Sequence, residues 1–213
     1  MNLEQAIHWR YATKRMTGQK VPDKKFRQIL DAIRMAPTSR GLQPFKVFII
    51  EDLNLKKEIQ PLADGQNQIV ECSHLLVFAV ETGISHSRID EYIMHLSSER
   101  NIPALKLEGL RKTLLKDQLP MNREQYYHWA SKQAYISMSY GQLMANTMGI
   151  DACPMEGFNP NALDELLHLN TKGLRSCLLM AVGYRDEVND YMFRLKKVRK
   201  SDQELFITLG SSV

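Results

Sequence analysis

Residues 36–45, APTSRGLQPF, decide how the rest of the chain is organised. Before them Phe26, Ile29, Leu30, Ile33 and Ala36 recur at helical spacing, and Pro22 stands where a helix begins. After them residues 46–50, KVFII, form a short β-branched run of the strand kind. Between the two, Thr38, Ser39, Arg40, Gly41 and Gln43 bring hydroxyls, a cation, a flexible backbone position and an amide onto one connection. Composition alone reads this as an ordinary helix-to-strand turn. A loop for a polar ligand is the other reading, since loops on rigid scaffolds often carry function.

Working outward, Leu3–Trp9 reads as a short helix, followed by the basic stretch 10–15 and a turn at Gly18. Residues 22–35 give the second helix, 46–51 a strand, 53–62 a helix and 64–68 (DGQNQ) a polar break. His74–Glu81 is almost continuously apolar, as a strand covered on both faces should be. Residues 84–120 are helical in propensity, charged, and interrupted by Pro103. Residues 123–149 make the longest helix, with apolar positions spread over so much of its surface that a core or a subunit interface must cover it. Residues 150–153 are extended, 159–168 helical from Pro160, and 174–184 a further apolar strand. A charged tail, 185–202, leads to 204–209 (ELFITL), which reads as a small strand. Helices and strands are mixed without regular alternation, so the fold class is α+β, with helices around a modest sheet.

The 213 residues suit one domain, 1–213, large enough to bury roughly 70% of its unfolded surface. A net charge of +4 permits an anionic ligand without requiring a nucleic acid, and no aromatics interleave the basic runs as a strand-stacking surface would need. Cys72, Cys153 and Cys177 show no CxxC spacing and sit in apolar contexts, the pattern of reduced, buried thiols. With no apolar signal core and no run of membrane-spanning length, the expectation is a cytoplasmic protein with no membrane partner.

GxGxxG, GxxxxGK[ST] and HExxH are all absent, Ser39 has no evident base, and no metal is expected. Basic residues gather at both ends: Arg10, Lys14 and Arg15, then Arg194, Lys196, Lys197, Arg199 and Lys200. They read either as a solvated face or as the forks and point charges that a phosphate attracts. Pro154-Met155-Glu156-Gly157-Phe158 reads either as a turn or as a place where backbone amides approach a planar ligand.

Together RYATKRM (10–16), APTSRGLQPF (36–45), CSHLLVF (72–78), DACPMEGF (151–158) and KKVRK (196–200) occur in the order found in the FMN-dependent nitroreductase family. WASKQAYI (129–136) resembles that family's long core helix. The resemblance is nearest to the oxygen-insensitive NAD(P)H nitroreductases and dihydropteridine reductases. It implies a central, mostly antiparallel sheet flanked by helices, in a domain-swapped homodimer whose C-terminal extension, 185–213, reaches the partner subunit. It also implies bound FMN and NAD(P)H as electron donor. Nitroaromatics, quinones or similar electron-poor acceptors would be reduced by ping-pong hydride transfer through flavin N5, with no catalytic side chain.

The family's site maps here onto Arg10, Tyr11, Ala12 and Lys14 along the phosphate and flavin edge, with Lys197 and Arg199 closing on the phosphate. Pro37, Thr38, Ser39 and Gly41 would reach the flavin from the partner subunit. Gln68 would meet the pyrimidine end, Pro154 and Met155 one ring face, and Glu156 and Gly157 the N5 region. Ala12, Gly41 and Gly65 depart from residues usual in the family, each a loss of about one hydrogen bond, ~1 kcal/mol, and Thr38 is a mild change from the usual Ser. The alternatives held beside this are a flavin-binding sensor or storage protein with little turnover, and a flavoprotein of dehalogenase or enone reductase type.

Overall fold

The apolar runs β2 (His74–Glu81) and β4 (Leu174–Gly183) pair antiparallel at the centre of a four-stranded sheet in the computed structural model, which describes residues 1–210. β1 (Phe45–Ile50) joins β2 in the register Val47↔Phe78, and β3 (Asp151–Met155) joins β4 in the register Cys153↔Ala181, giving the order β1-β2-β4-β3. Every residue from Leu75 to Val80 is fully buried, which is why β2 lacks polar alternation.

The pleat divides the core between the two faces of the sheet. Leu76, Phe78, Val80, Ala152, Met180 and Val182 pack under α2 (Asp23–Met35) and α7 (Arg123–Thr147). Leu75, Val77, Cys153, Met155, Leu179 and Ala181 pack under α3 (Leu53–Ile59), α4 (Gln68–Glu71) and α8 (Pro160–Leu166).

α7 starts at an Asn122–Gln125 capping box and runs 25 residues. Gly141 lets α2 approach it closely, since a Cβ there would lie 2.5 Å from Ile33 Cγ1. On its outer side Ile136, Tyr140 and Met144 remain exposed at i, i+4 and i+8. α1 (Leu3–Trp9) packs on α7 with Ile7 exposed. Residues 84–120 form α5 (His86–Arg100) and α6 (Glu108–Gln118), separated at Pro103 as the sequence predicts. Their own small core is Leu42, Ile89, Ile93 and Leu114.

The tail differs from expectation. Residues 204–209 form no strand; α9 (Asp202–Leu205) takes their start, because Ser201 and Glu204 make a reciprocal capping box. Phe206, Ile207 and Leu209 are then left exposed, at 68%, 79% and 90%. Likewise Gln68 opens α4 rather than ending a polar break. Among the described residues no helix is long and apolar enough to cross a membrane.

Candidate functional site

Arg10 is the C-cap of α1, and the chain runs on irregularly to Met16, which bridges to Arg185. Tyr11 and Thr13 anchor this strap: Tyr11 Oη donates to Asp190 (2.8 Å) and Thr13 Oγ1 to Asp151 (2.9 Å). The residues alternating with them turn toward the end of β3. Ala12 packs on the cluster holding Cys153 and Met155, and both Arg10 and Lys14 lie within charge range of Cys153.

The C-terminal cations come to the same place. Lys197 Nζ donates to the carbonyls of Ile7 (2.7 Å) and His8 (3.2 Å) at the end of α1. Burial, and then the charge of Arg199, hold the Arg10 pKa below its ordinary value. Burial, then Arg10 and Arg199, do the same to Lys197. Among the described residues no carboxylate lies within ion-pair distance of Arg10, Lys14, Lys197 or Arg199. Cations crowded together in this way repel one another and favour an anion among them.

Beyond Met155 the chain closes on the loop before α4. Gln68 is buried; its Nε2 donates to Gln66 Oε1 (2.9 Å) and approaches Met155 Sδ (3.4 Å). Gln66 Nε2 in turn donates to the Gly157 carbonyl (3.0 Å). A Cβ on Gly157 would stand 2.9 Å from Asp64 Oδ2 and 3.5 Å from Gln66 Nε2, so the two side chains of the 64–66 loop pack closely over this position. The Glu156 carboxylate is held by Tyr135 Oη on α7 at 2.6 Å. Strand alternation sends the side chains of Pro154 and Met155 to opposite faces, so only one of them can cover a given ligand face.

The 36–45 loop is tighter than an ordinary turn. Arg40 (φ 55°), Gly41 (φ 74°) and Gln43 (φ 44°) all adopt left-handed backbone. The Ser39 amide donates to buried Gln133 of α7 (2.7 Å), Arg40 pairs with Asp117 of α6 (2.7 Å), and Tyr92 of α5 donates to the Arg40 carbonyl. Several elements thus fix a backbone that is unfavourable by itself. Pro37, Ser39 and Gly41 are exposed and Thr38 half-buried. The hydrogen bonds of this loop run to α2, α5, α6, α7 and β2, with Gln43 Nε2 donating to the Arg34 carbonyl (2.8 Å) and the Glu81 amide to the Pro44 carbonyl (3.0 Å).

The largest cavity described, about 740 Å³, lies beside this loop rather than at the cations. It is a groove between α2, α5 and β1 with a mixed lining, apolar at Leu30, Phe45, Val47 and Ile49 and charged at Arg34, Arg88, Glu91, Glu99 and Arg100. Burial raises the Cys153 thiol to about 11 and the Cys177 thiol to about 12, which removes both as nucleophiles at neutral pH. No cluster of His, Cys, Asp or Glu suited to a metal occurs among the described residues.

The structure therefore brings Arg10, Lys197 and Arg199 together at the end of α1, sets Ala12 and Lys14 along the strap near Cys153, and brings Gln68, Met155, Glu156 and Gly157 together where β3 ends. Sequence reading missed Gln66, Tyr135 and the Asp151, Arg185 and Asp190 side chains. Gln66 stood in the polar break beside Gln68 and was open to notice. The others act across 21 to 179 positions and leave no local signal.

The model of the Nitroreductase family matches residues 7–184. A Staphylococcus epidermidis protein, provisionally named an NAD(P)H nitroreductase, is 29% identical over 94% of this chain and 93% of its own length. The solved structure of a provisionally named nitroreductase from Bacillus subtilis aligns with a TM-score of 0.85 at 17% identity, over 97% of this chain and 98% of that one. Another from Exiguobacterium sibiricum, solved in complex with FMN, aligns with a TM-score of 0.76 at 16% identity, over 98% of this chain and 97% of that one.

Proposed function

This chain belongs to the nitroreductase family, and from that premise we propose that it is an FMN-dependent NAD(P)H oxidoreductase acting as a homodimer on nitroaromatics, quinones or similar electron-poor acceptors. The observation that carries the reading is the carboxylate-free meeting of Arg10, Lys197 and Arg199 at the end of α1. A phosphate monoester is the group whose charge and oxygens such a donor set suits, so the residues present fit the cofactor.

Arg10, Lys197 and Arg199 would hold the FMN phosphate. Lys14, farther along the strap, would place positive charge along the flavin edge, where it favours the reduced, anionic form. Met155 would back the ring. The Gly157 region, fixed by Gln66 through its carbonyl, would keep the Glu156 and Gly157 amides in place. When bound, FMN supplies the hydride chemistry between NAD(P)H and the acceptor. In this reading the side chains bind, orient and tune charge, and the thiols of Cys153 and Cys177, raised by burial, take no part.

The dimer reading rests on surfaces that one chain leaves uncovered. Ile136, Tyr140 and Met144 line the outside of α7, and Phe206, Ile207 and Leu209 beyond α9 are exposed while β1 offers an open edge beside the groove. A second copy would cover α7, receive the tail, and present its 36–45 loop to the first copy's flavin. The test is the visible spectrum of the purified protein, with its mass in solution from sedimentation, followed by anaerobic addition of NADH and, separately, NADPH. A twin-banded yellow spectrum that bleaches, on a particle of dimer mass, is expected. Protein that stays colourless after incubation with FMN would overturn the reading. Flavin that binds but is reduced by neither donor would favour a sensor or storage role.

A further inference from the structure

Behind the cations lies a polar arrangement with no part in binding. The Arg185 guanidinium meets the Asp151 carboxylate through Nη2–Oδ1 (2.7 Å), Nε–Oδ2 (3.0 Å) and Nε–Oδ1 (3.2 Å), and the Arg185 amide adds a bond to Oδ2 at 3.0 Å. Both side chains are buried, at 10% and 2% exposure. The guanidinium also lies 3.7 Å from the Trp9 ring, 4.6 Å from Tyr11 and 6.0 Å from Phe193. Thr13 donates to the same Asp151. Next to it Asp190 accepts from Tyr11 Oη and from the backbone amides of Lys14 (2.9 Å) and Arg15 (3.4 Å).

A buried ion pair is poor evidence for stability, because an apolar pair of similar volume often folds as well or better. What distinguishes this one is what is moored to it. Trp9 and Tyr11 flank Arg10, Thr13 precedes Lys14, and Phe193 opens the segment that leads to Lys197 and Arg199. Only arginine combines a fork for a carboxylate with a flat face for aromatic rings, so a single side chain can fix both cation-bearing segments relative to β3 and β4.

We propose that the Asp151–Arg185 pair is a positioning device: it sets the spacing of Arg10, Lys14, Lys197 and Arg199, and thereby the preference of the site for a flavin bearing a phosphate over the same flavin without one. This rests on the FMN reading above. Since the Asp151 carboxylate and the Arg185 guanidinium are taken up by each other, Thr13 and the aromatic rings, in this reading neither residue holds the phosphate itself. Their removal lets the strap and the tail drift, which weakens contacts to a compact, highly charged group far more than contacts to a ring held by Met155 and the 156–157 backbone.

The experiment titrates full-length protein, freed of flavin, with FMN and with riboflavin by fluorescence quenching. Asp151→Asn/Arg185→Gln removes both charges together, so neither is left buried alone. Thr13→Val removes one hydroxyl bond to Asp151 and keeps the side-chain shape, a change the fold should accept. The double variant is expected to raise the FMN Kd about ten-fold or more, as loss of a supporting group behind a ligand does. Its riboflavin Kd should stay within about two-fold. Thr13→Val should shift the FMN-to-riboflavin ratio in the same direction by less, and Arg185→Lys should restore part of it. A ratio that Thr13→Val and the double variant leave at the parental value overturns the proposal, even if both affinities fall, because that is the behaviour of a merely structural pair. Parental protein that binds FMN no better than riboflavin overturns the phosphate reading, and this proposal with it.

Discussion

Replacing Arg199 with alanine should leave one quantity intact while it damages another. Without FMN, Arg199 has no carboxylate partner among the described residues and its charge helps to depress the pKa of both Arg10 and Lys197. Its removal relieves a repulsion, so the FMN-free variant should melt no lower than the parent. With FMN present, the same change deletes a charge-assisted contact worth about 1.5–3 kcal/mol, a rise in Kd of roughly 10- to 150-fold. Thermal melts convert this into a visible difference. At FMN one hundred times the parental Kd, the parent gains about 2.7 kcal/mol, or roughly 5–11 °C at about 2–4 °C per kcal/mol for a chain of this size. A thirty-fold weaker variant would see FMN at only about three times its Kd, worth ~0.8 kcal/mol and roughly 2–3 °C. Titration calorimetry supplies the Kd independently. If the variant keeps the parental shift, Arg199 does not hold the phosphate. If its FMN-free form melts several degrees lower, the tail is a structural element and the cation cradle is misread.

His74 should make the protein acid-sensitive. Its ring is buried, stacked on Phe26 at 3.7 Å, and burial above all holds its pKa below the ordinary value. The unfolded chain takes up a proton near pH 6.5 where the folded chain does not, so this contribution is present above that pH and is lost as pH falls toward the folded pKa. His74→Phe should flatten urea-derived stability between about pH 7 and 5 relative to the parent; identical slopes would remove His74 as the cause. Gly41→Ala should cost about 1–2 kcal/mol, because φ is 74° and the new Cβ would stand 2.9 Å from Tyr92 Oη. Adding Tyr92→Phe should recover part of that loss in urea denaturation; strict additivity would show that the hydroxyl is not what the Cβ meets.

Much of the fold was legible because the signals were local. The continuous apolar runs of β2 and β4, the helical spacing of Phe26, Ile29 and Ile33, and Pro103 between α5 and α6 each specify a structure within a dozen residues. The tail misled because ELFITL carries strand chemistry while Ser201 and Glu204 begin a helical turn just ahead of it. A strand also needs an edge to pair with, and a single chain does not bring one to residues 206–209. The site was legible as residue types but not as an arrangement. Arg10 and Arg199 announce cations, yet nothing in either segment says that Lys197 closes the end of α1. Asp151 and Arg185 sit at adjoining ends of paired strands, a relation that appears only once the register Asp151↔Gly183 is known. Gln68 is buried beside Met155 while Gln66 bonds to the Gly157 carbonyl, a division of roles that DGQNQ alone does not show.

The two parts of the candidate site are tied to one element. Gln133 and Tyr135 are two positions apart on α7 and so point to nearly opposite sides of it. Gln133 holds the Ser39 amide of the 36–45 loop, and Tyr135 holds Glu156 at the end of β3. In the proposed dimer each α7 would therefore fix Glu156 beside its own chain's cofactor and the 36–45 loop beside its partner's. A displacement of the helix would disturb both sites at once. α2 takes one face around Gly141, the sheet takes another, and the face bearing Ile136, Tyr140 and Met144 is exposed, where the proposed second copy would cover it. A helix with that many obligations has little surface to leave polar, which is why its sequence carries so weak an amphipathic pattern.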